Sequence, residues 1–206
     1  MRTRIHRIAM LWLAAASICW GGQRHLAIAL YNYADLPPEV LESSMKMVVA
    51  TLGDVGIQTA WSLCLIARDR WVDGCTQRLP SDGRYVTVNL MLRQNAPLLG
   101  PGLGYEIAGF AIQDSARLHG ARAFAFYDSV QAIAEKSHRS AAVVLACVLV
   151  HEIAHTLGLR HHEQGVMRPV LDPRGMDDAV RGLAFDGLQR QLLRRAVAGL
   201  NEPAAE

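Results

Sequence analysis

Bulky residues recur at every second position in three stretches of the first half of the chain, mostly with small or polar residues between them. Such stretches lie at residues 26–30, 59–65 and 86–92, and this period predicts β-strands. After the first stretch, Pro37 and Pro38 open a segment whose apolar residues recur every three or four positions, which predicts a helix. The predicted buried face of this helix consists of Leu41, Met45, Val48 and Leu52.

Two more apolar stretches, at residues 109–113 and 122–130, predict a hairpin of antiparallel strands near one edge of the sheet. A short connection around residues 118–120 would join them. Tyr127 and Asp128 would then end the second strand, close before the next helix. No repeat or low-complexity segment divides the chain, and we therefore expect one continuous domain over residues 23–206.

The period changes in the last third of the chain. Residues 141–157 contain neither Gly nor Pro and predict a buried helix, with Ser137 or Ser140 available as its cap. A last helix is predicted over residues 177–198. Its predicted core stripe consists of Val180, Ala184, Leu188 and Leu192, and the arginines expected on its solvent side are Arg190, Arg194 and Arg195. The pattern indicates an α+β fold with a mixed sheet.

The first 22 residues have the layout of a secretory signal peptide. Three arginines precede an apolar run at residues 8–20, which is too short for an ordinary membrane-spanning helix. Cleavage could follow Ala16, Cys19 or Gly21, and an uncleaved anchor stays open as an alternative. We expect export to the periplasm or the extracellular space, without stable membrane insertion after cleavage.

Composition and charge fit one exported domain. The chain has 206 residues, 51% of them hydrophobic, which suffices for one core. Its formal charge of +2 falls to −1 when the predicted signal peptide removes Arg2, Arg4 and Arg7. No cluster of Lys and Arg interleaved with aromatic residues remains, and this argues against a nucleic-acid partner.

The cysteines are consistent with an oxidising compartment. Cys64 and Cys75 flank a short loop, and a disulfide between them is as expected as its absence. Cys147 lies inside the apolar run of the predicted buried helix. It is therefore expected to be a small core residue rather than a reactive thiol.

Residues 151–161 read His-Glu-Ile-Ala-His-Thr-Leu-Gly-Leu-Arg-His. Side chains four residues apart project from one helix face, and so His151 and His155 can bind the same metal ion. Glu152 lies one residue further round, where its carboxylate can act as a general base on a zinc-bound water. Gly158 can adopt a positive φ, end the helix and return the chain so that His161 becomes a third ligand.

Three imidazoles leave one position of a tetrahedral zinc open, which is the catalytic rather than the structural arrangement. The sequence therefore predicts one catalytic zinc ion. His162 directly follows His161 and is an alternative third ligand, although the spacing favours His161.

The long motif, followed by Gly-Val-Met at residues 165–167, resembles that of the metzincin zinc peptidases, whose motif precedes a methionine turn. The resemblance implies that Met167 lies beneath the zinc as an apolar floor. It also implies a matrixin-like architecture, in which a twisted sheet with an edge hairpin leads into an active-site helix and a C-terminal helix. The overall layout is similar to that of small bacterial secreted members.

We therefore expect a secreted zinc metallopeptidase that acts on peptide or protein substrates, with Glu152 as its general base, and that is a monomer. Two alternatives stay open. The first is a catalytically silent zinc-containing module of the same fold that binds extended peptides, since no tyrosine follows Met167 closely. The second is zinc-dependent hydrolysis of a non-protein amide, for which no residue speaks directly.

Overall fold

The period-two segments form the strands of a twisted, mixed sheet in the computed structural model. The strands are β1 (Arg24–Asn32), β2 (Ile57–Cys64), β3 (Ile66–Ala67), β4 (Arg70–Trp71), β5 (Val86–Met91), β6 (Gly109–Ile112) and β7 (Arg122–Phe126). Strand order in the five-stranded sheet is β2-β1-β5-β7-β6, and all neighbouring pairs are parallel except β6 and β7. A separate antiparallel pair is formed by β3 and β4.

The structure describes most of the chain downstream of the predicted signal peptide. The described residues are 24–64, 66–67, 70–71, 79–80, 85–95, 107–113, 121–182 and 184–201. The predicted signal peptide, the connection at residues 118–120 and Cys75 lie outside them. Cys64 is disulfide-bonded, and Cys147 is a buried free thiol as predicted.

The predicted edge hairpin is confirmed for its first part, because β6 pairs with β7 from Gly109 opposite Ala125 to Ile112 opposite Arg122. The predicted continuation of the second strand to residue 130 is wrong. Helix α2 (Tyr127–Ser137) starts directly after β7 instead. Its buried residues Val130 and Ala134 are four apart, which is the spacing of a helix rather than of a strand.

Two helices cover one face of the sheet and enclose the main core. Helix α1 (Pro38–Asp54) buries Val48 and Leu52 as predicted, and it packs against α3 (Ala141–Thr156). Ser140 caps the start of α3, and its hydroxyl oxygen accepts a hydrogen bond from the backbone N–H of Val143 at 3.3 Å. Of its sixteen residues, eleven are buried, and this helix carries the first two of the predicted metal ligands, His151 and His155.

The prediction of a single C-terminal helix over residues 177–198 is wrong. Two helices occur instead, α4 (Pro173–Val180) and α5 (Gly187–Asn201), because Gly182 has a φ of +75° and interrupts the helical path. The interruption changes which side of α5 faces the core. Its buried residues are Leu193 and Val197, whereas the predicted stripe residues Val180, Leu188 and Leu192 are exposed and Ala184 is buried in the connection.

The arginines of α5 also differ from the prediction of a purely solvated face. The guanidinium of Arg190 donates hydrogen bonds to the backbone oxygens of Asp54, Gly182 and Phe185 at 3.0, 2.7 and 3.0 Å. Arg194 donates to the backbone oxygen of Val55. These two arginines therefore tie α5 to the end of α1, and Arg195 is exposed as predicted.

Within the ranges that the structure describes, no helix combines the length and the apolar character that crossing a bilayer requires.

Candidate metal centre

Helix α3 places two imidazoles on one face, one turn apart. The ring centroids of His151 and His155 are 4.5 Å apart, and their Nε2 atoms are separated by 2.9 Å. This follows from the four-residue spacing in a regular helix.

Gly158 ends α3 and turns the chain back toward the two histidines. Its φ is +91°, its backbone N–H donates to the oxygen of His155 at 2.9 Å, and the N–H of Leu159 donates to Ala154 at 3.0 Å. This pair of bonds is a Schellman motif, in which the left-handed residue is most often glycine. Gly158 therefore ends the helix, as the sequence predicts.

The returning chain brings His161 into the group. Its ring centroid lies 4.7 Å from that of His155 and 5.3 Å from that of His151. One possible ligand atom from each of the three histidines lies within 4.8 Å of the others. His162 points elsewhere, with its Nε2 atom 3.7 Å from a carboxylate oxygen of Asp186.

The other ring nitrogen of each helical histidine contacts a backbone carbonyl. Nδ1 of His151 lies 2.7 Å from the oxygen of Val166, and Nδ1 of His155 lies 2.7 Å from the oxygen of Leu159. Since a carbonyl only accepts, each Nδ1 is the donor, and each neutral ring keeps its lone pair on Nε2. Two lone pairs 2.9 Å apart repel unless a cation lies between them, and so this donor set fits a metal ion.

The segment that follows the histidines packs under α3. The 3-10 turn Gly165–Met167 supplies the carbonyl that holds His151, and the side chain of Met167 is fully buried. The turn is fixed from two sides, because Val166 donates its N–H to Ala184 at 3.0 Å and the carbonyl of Met167 accepts from His162 at 2.8 Å. His162 thus supports the turn through its backbone.

Glu152 lies beside this group and is 5% exposed. Among the described residues, nothing donates a hydrogen bond to its buried Oε2 atom. Burial raises the pKa of Glu152 to about 8. Burial also lowers the pKa of His151 to about 4, against the opposing hydrogen bond to Val166, and so the imidazole stays neutral and able to bind metal well below neutral pH.

Comparisons with known proteins agree with this geometry. The matrixin family model matches residues 106–186, which run from β6 to the start of the last helix. The matched segment covers 81 of the 206 residues, and it contains the three histidines, Glu152 and Met167. No curated protein sequence matches the chain.

Two crystal structures share the metzincin-like fold. Metalloproteinase-II from Bacteroides fragilis superposes with a TM-score of 0.54 at 14% sequence identity, covering 85% of this chain and 54% of that one. Archaemetzincin from Methanopyrus kandleri gives a TM-score of 0.50 at 16% identity, covering 85% of this chain and 97% of that one. The chain thus spans about half the length of the Bacteroides protein.

A cleft of about 1370 Å³ opens beside the three histidines. Strand β6 forms one wall with Gly109, Phe110 and Ala111, and α2 contributes Ile133 and Lys136 to another. The segment after the methionine turn lines the cleft with Arg168, Pro169, Val170, Leu171, Asp172 and Pro173. Arg168 is 3.2 Å from Asp172, and its charge is therefore largely compensated within the wall.

Two residues that shape the site, Arg93 and Gly109, were not predicted from the sequence. Arg93 follows β5, and its guanidinium donates to the carbonyl of Ile107 at 2.6 Å, directly before β6. Its backbone N–H donates to the carboxylate of Asp128 at 3.1 Å, and Asp128 therefore helps to hold this junction. Gly109 contacts Glu152, and the only sequence signal was an isolated glycine in a strand.

Proposed function

We propose that the protein is a secreted zinc-dependent metallopeptidase that hydrolyses peptide bonds, with Glu152 as its general base. The observation that carries this proposal is the convergence of three imidazole nitrogens next to a buried carboxylate at the wall of an open cleft. A closed structural site has four protein ligands, whereas this group has three histidines.

His151, His155 and His161 are the residues that would hold the zinc ion. When bound, zinc supplies a Lewis acid that lowers the pKa of water and polarises a carbonyl. The matrixin match and the metzincin-like fold support this assignment.

Glu152 is suited to move the proton. Its carboxyl lies next to the metal-binding residues on α3 but has no ion-pair partner among the residues that the structure describes. Burial raises its pKa to about 8, so its carboxylate is a stronger base than an exposed one. It would take the proton from the attacking water and return it to the leaving amine.

Strand β6 is suited to hold an extended peptide. It is the last strand of the five-stranded sheet, and it pairs with β7 on one side. Its residues Gly109, Phe110 and Ala111 line the cleft, where a substrate could add as an antiparallel strand through backbone hydrogen bonds. The substrates we propose are therefore unfolded proteins or flexible peptide segments.

Casein hydrolysis by the zinc-loaded protein tests the proposal. We expect one zinc ion per chain, and we expect Glu152→Gln to keep the zinc while losing roughly 100-fold or more in kcat. The exposed Glu39→Gln on α1 is the matched control and should retain full activity. If the wild type is as inactive as Glu152→Gln but still binds casein peptides, the protein is a zinc-containing binding module instead.

Export and oligomeric state belong to the same proposal. Mass spectrometry of the protein recovered outside the cytoplasm should show a chain that starts between residues 17 and 23. Sedimentation equilibrium should give the mass of a monomer. Recovery of the full-length chain in the membrane fraction would instead show that the N-terminal segment is an uncleaved anchor.

A further inference from the structure

The inward-facing position of β6 nearest to Glu152 is a glycine. A Cβ atom built on Gly109 would lie 2.9 Å from both Cγ and Oε1 of Glu152, and 2.6 Å from the backbone oxygen of Phe124. Carbon–carbon contacts are optimal near 3.5–4.0 Å, and therefore any side chain at this position would overlap the glutamate. The carboxylate thus occupies the space that a methyl group at residue 109 would fill.

The surrounding residues are small, and this allows α3 to approach the sheet closely. Gly109 lies opposite Ala125 in the β6–β7 register, and Ala111 lies opposite Ala123. Both alanines of β7 are fully buried in the core that includes α3. Gly109 is the smallest member of this set and the one that contacts Glu152.

Strand β6 is held in place on its other sides. The carbonyl of Ala108 accepts a hydrogen bond from the N–H of Phe126 at 2.9 Å. The carbonyl of Ile107 accepts from the guanidinium of Arg93 at 2.6 Å. A side chain at residue 109 would overlap both the backbone oxygen of Phe124 and the side chain of Glu152, and of these two partners only Glu152 has a flexible side chain that can move aside.

We propose that Gly109 is a positioning residue for Glu152, in that its missing side chain lets the carboxylate lie between β6 and α3 at the wall of the metal cleft. The catalytic part of this inference rests on the proposed function of Glu152 as general base. The steric part does not, because it concerns only how residues 109 and 152 share space.

Steady-state kinetics of Gly109→Ala test the catalytic part. A displacement of about 1 Å can cost roughly 100-fold in rate, and we expect kcat to fall about 10- to 100-fold while KM stays within about twofold. Zinc content should remain at one ion per chain. Gly199→Ala is the matched control, since nothing lies within 4 Å of its added Cβ, and its kinetics should equal those of the wild type.

An unchanged kcat in Gly109→Ala would overturn the inference, as would a rise in KM without a loss of kcat. The outcome differs from a failure of the proposed function. In that case either Glu152→Gln would hydrolyse casein as fast as the wild type, or neither protein would hydrolyse it.

Thermal unfolding of the zinc-free protein tests the steric part without any activity. Gly109→Ala is introduced into the wild type and into Glu152→Ala. The contact with the Phe124 carbonyl is common to both backgrounds, whereas the contact with Glu152 exists in only one. We expect the drop in Tm caused by Gly109→Ala to be clearly smaller in the Glu152→Ala background.

Equal drops in the two backgrounds would overturn the inference. Where Gly109→Ala alone does not fold, folding of the double variant supports it. If the double variant does not fold either, the inference is wrong, because the close approach to Phe124 would then account for the glycine by itself.

Discussion

Helices α3 and α5 are similar in length, with sixteen and fifteen residues, but they differ in how well the sequence predicts their surroundings. Helix α3 is apolar on nearly all sides and packs against α1, α2, β6 and β7. Helix α5 is amphipathic, exposes Leu188 and Leu192, and uses Arg190 and Arg194 to bind backbone carbonyls. A helix that is buried on all sides can be identified without knowing which side faces the sheet. For a surface helix, the buried side can be predicted only when the residue at which the helix begins is known.

The largest expected difference concerns the residues that follow α3. We expect His161→Ala to reduce zinc affinity more than about 100-fold, beyond the 10- to 100-fold loss typical of residues that only support a ligand. His162→Ala should leave the affinity nearly unchanged, because its ring faces Asp186 at 3.7 Å. Competition with a chromophoric chelator measures both, and the reverse ranking would assign His162 as the third ligand.

The next prediction compares the cores of the two helices. Leu149 of α3 is fully buried, and Leu149→Ala should lower the free energy of unfolding by about 2–5 kcal/mol. Leu192 of α5 is 44% exposed, and Leu192→Ala should change it by less than about 0.5 kcal/mol. Urea denaturation checks both values, and similar losses would show that Leu192 is buried in solution.

The sequence predicts the parts of the molecule whose geometry is determined locally, and it fails for the parts that depend on helix boundaries or on contacts between distant segments. The motif from His151 to His161 was predictable because helical spacing and one glycine determine its local geometry. The boundary between α4 and α5 was missed because Gly182 was read as part of a continuous pattern. The walls of the cleft depend on contacts between distant segments, such as Arg93 with Ile107, and no local pattern encodes them.

The smallest expected effect concerns the arginines of α5. Arg190→Ala removes three hydrogen bonds to carbonyls and should cost about 1–3 kcal/mol in the free energy of unfolding. Arg195→Ala is the matched control on the exposed side and should cost less than about 0.5 kcal/mol. Urea denaturation measures the free energy of unfolding of both variants. Equal losses would show that Arg190 is solvated, as the sequence predicts, and that its hydrogen bonds do not stabilise the fold.

The carbonyls of Val166 and Leu159 hold the rings of His151 and His155 through Nδ1. These bonds come from the backbone of a folded core, and they orient the ligands independently of any metal. The centre is therefore preorganised, unlike that of a zinc finger, whose chain folds only as it takes up its ion. A chelator would withdraw the metal from a chain that keeps its shape, and readdition would restore the centre without refolding.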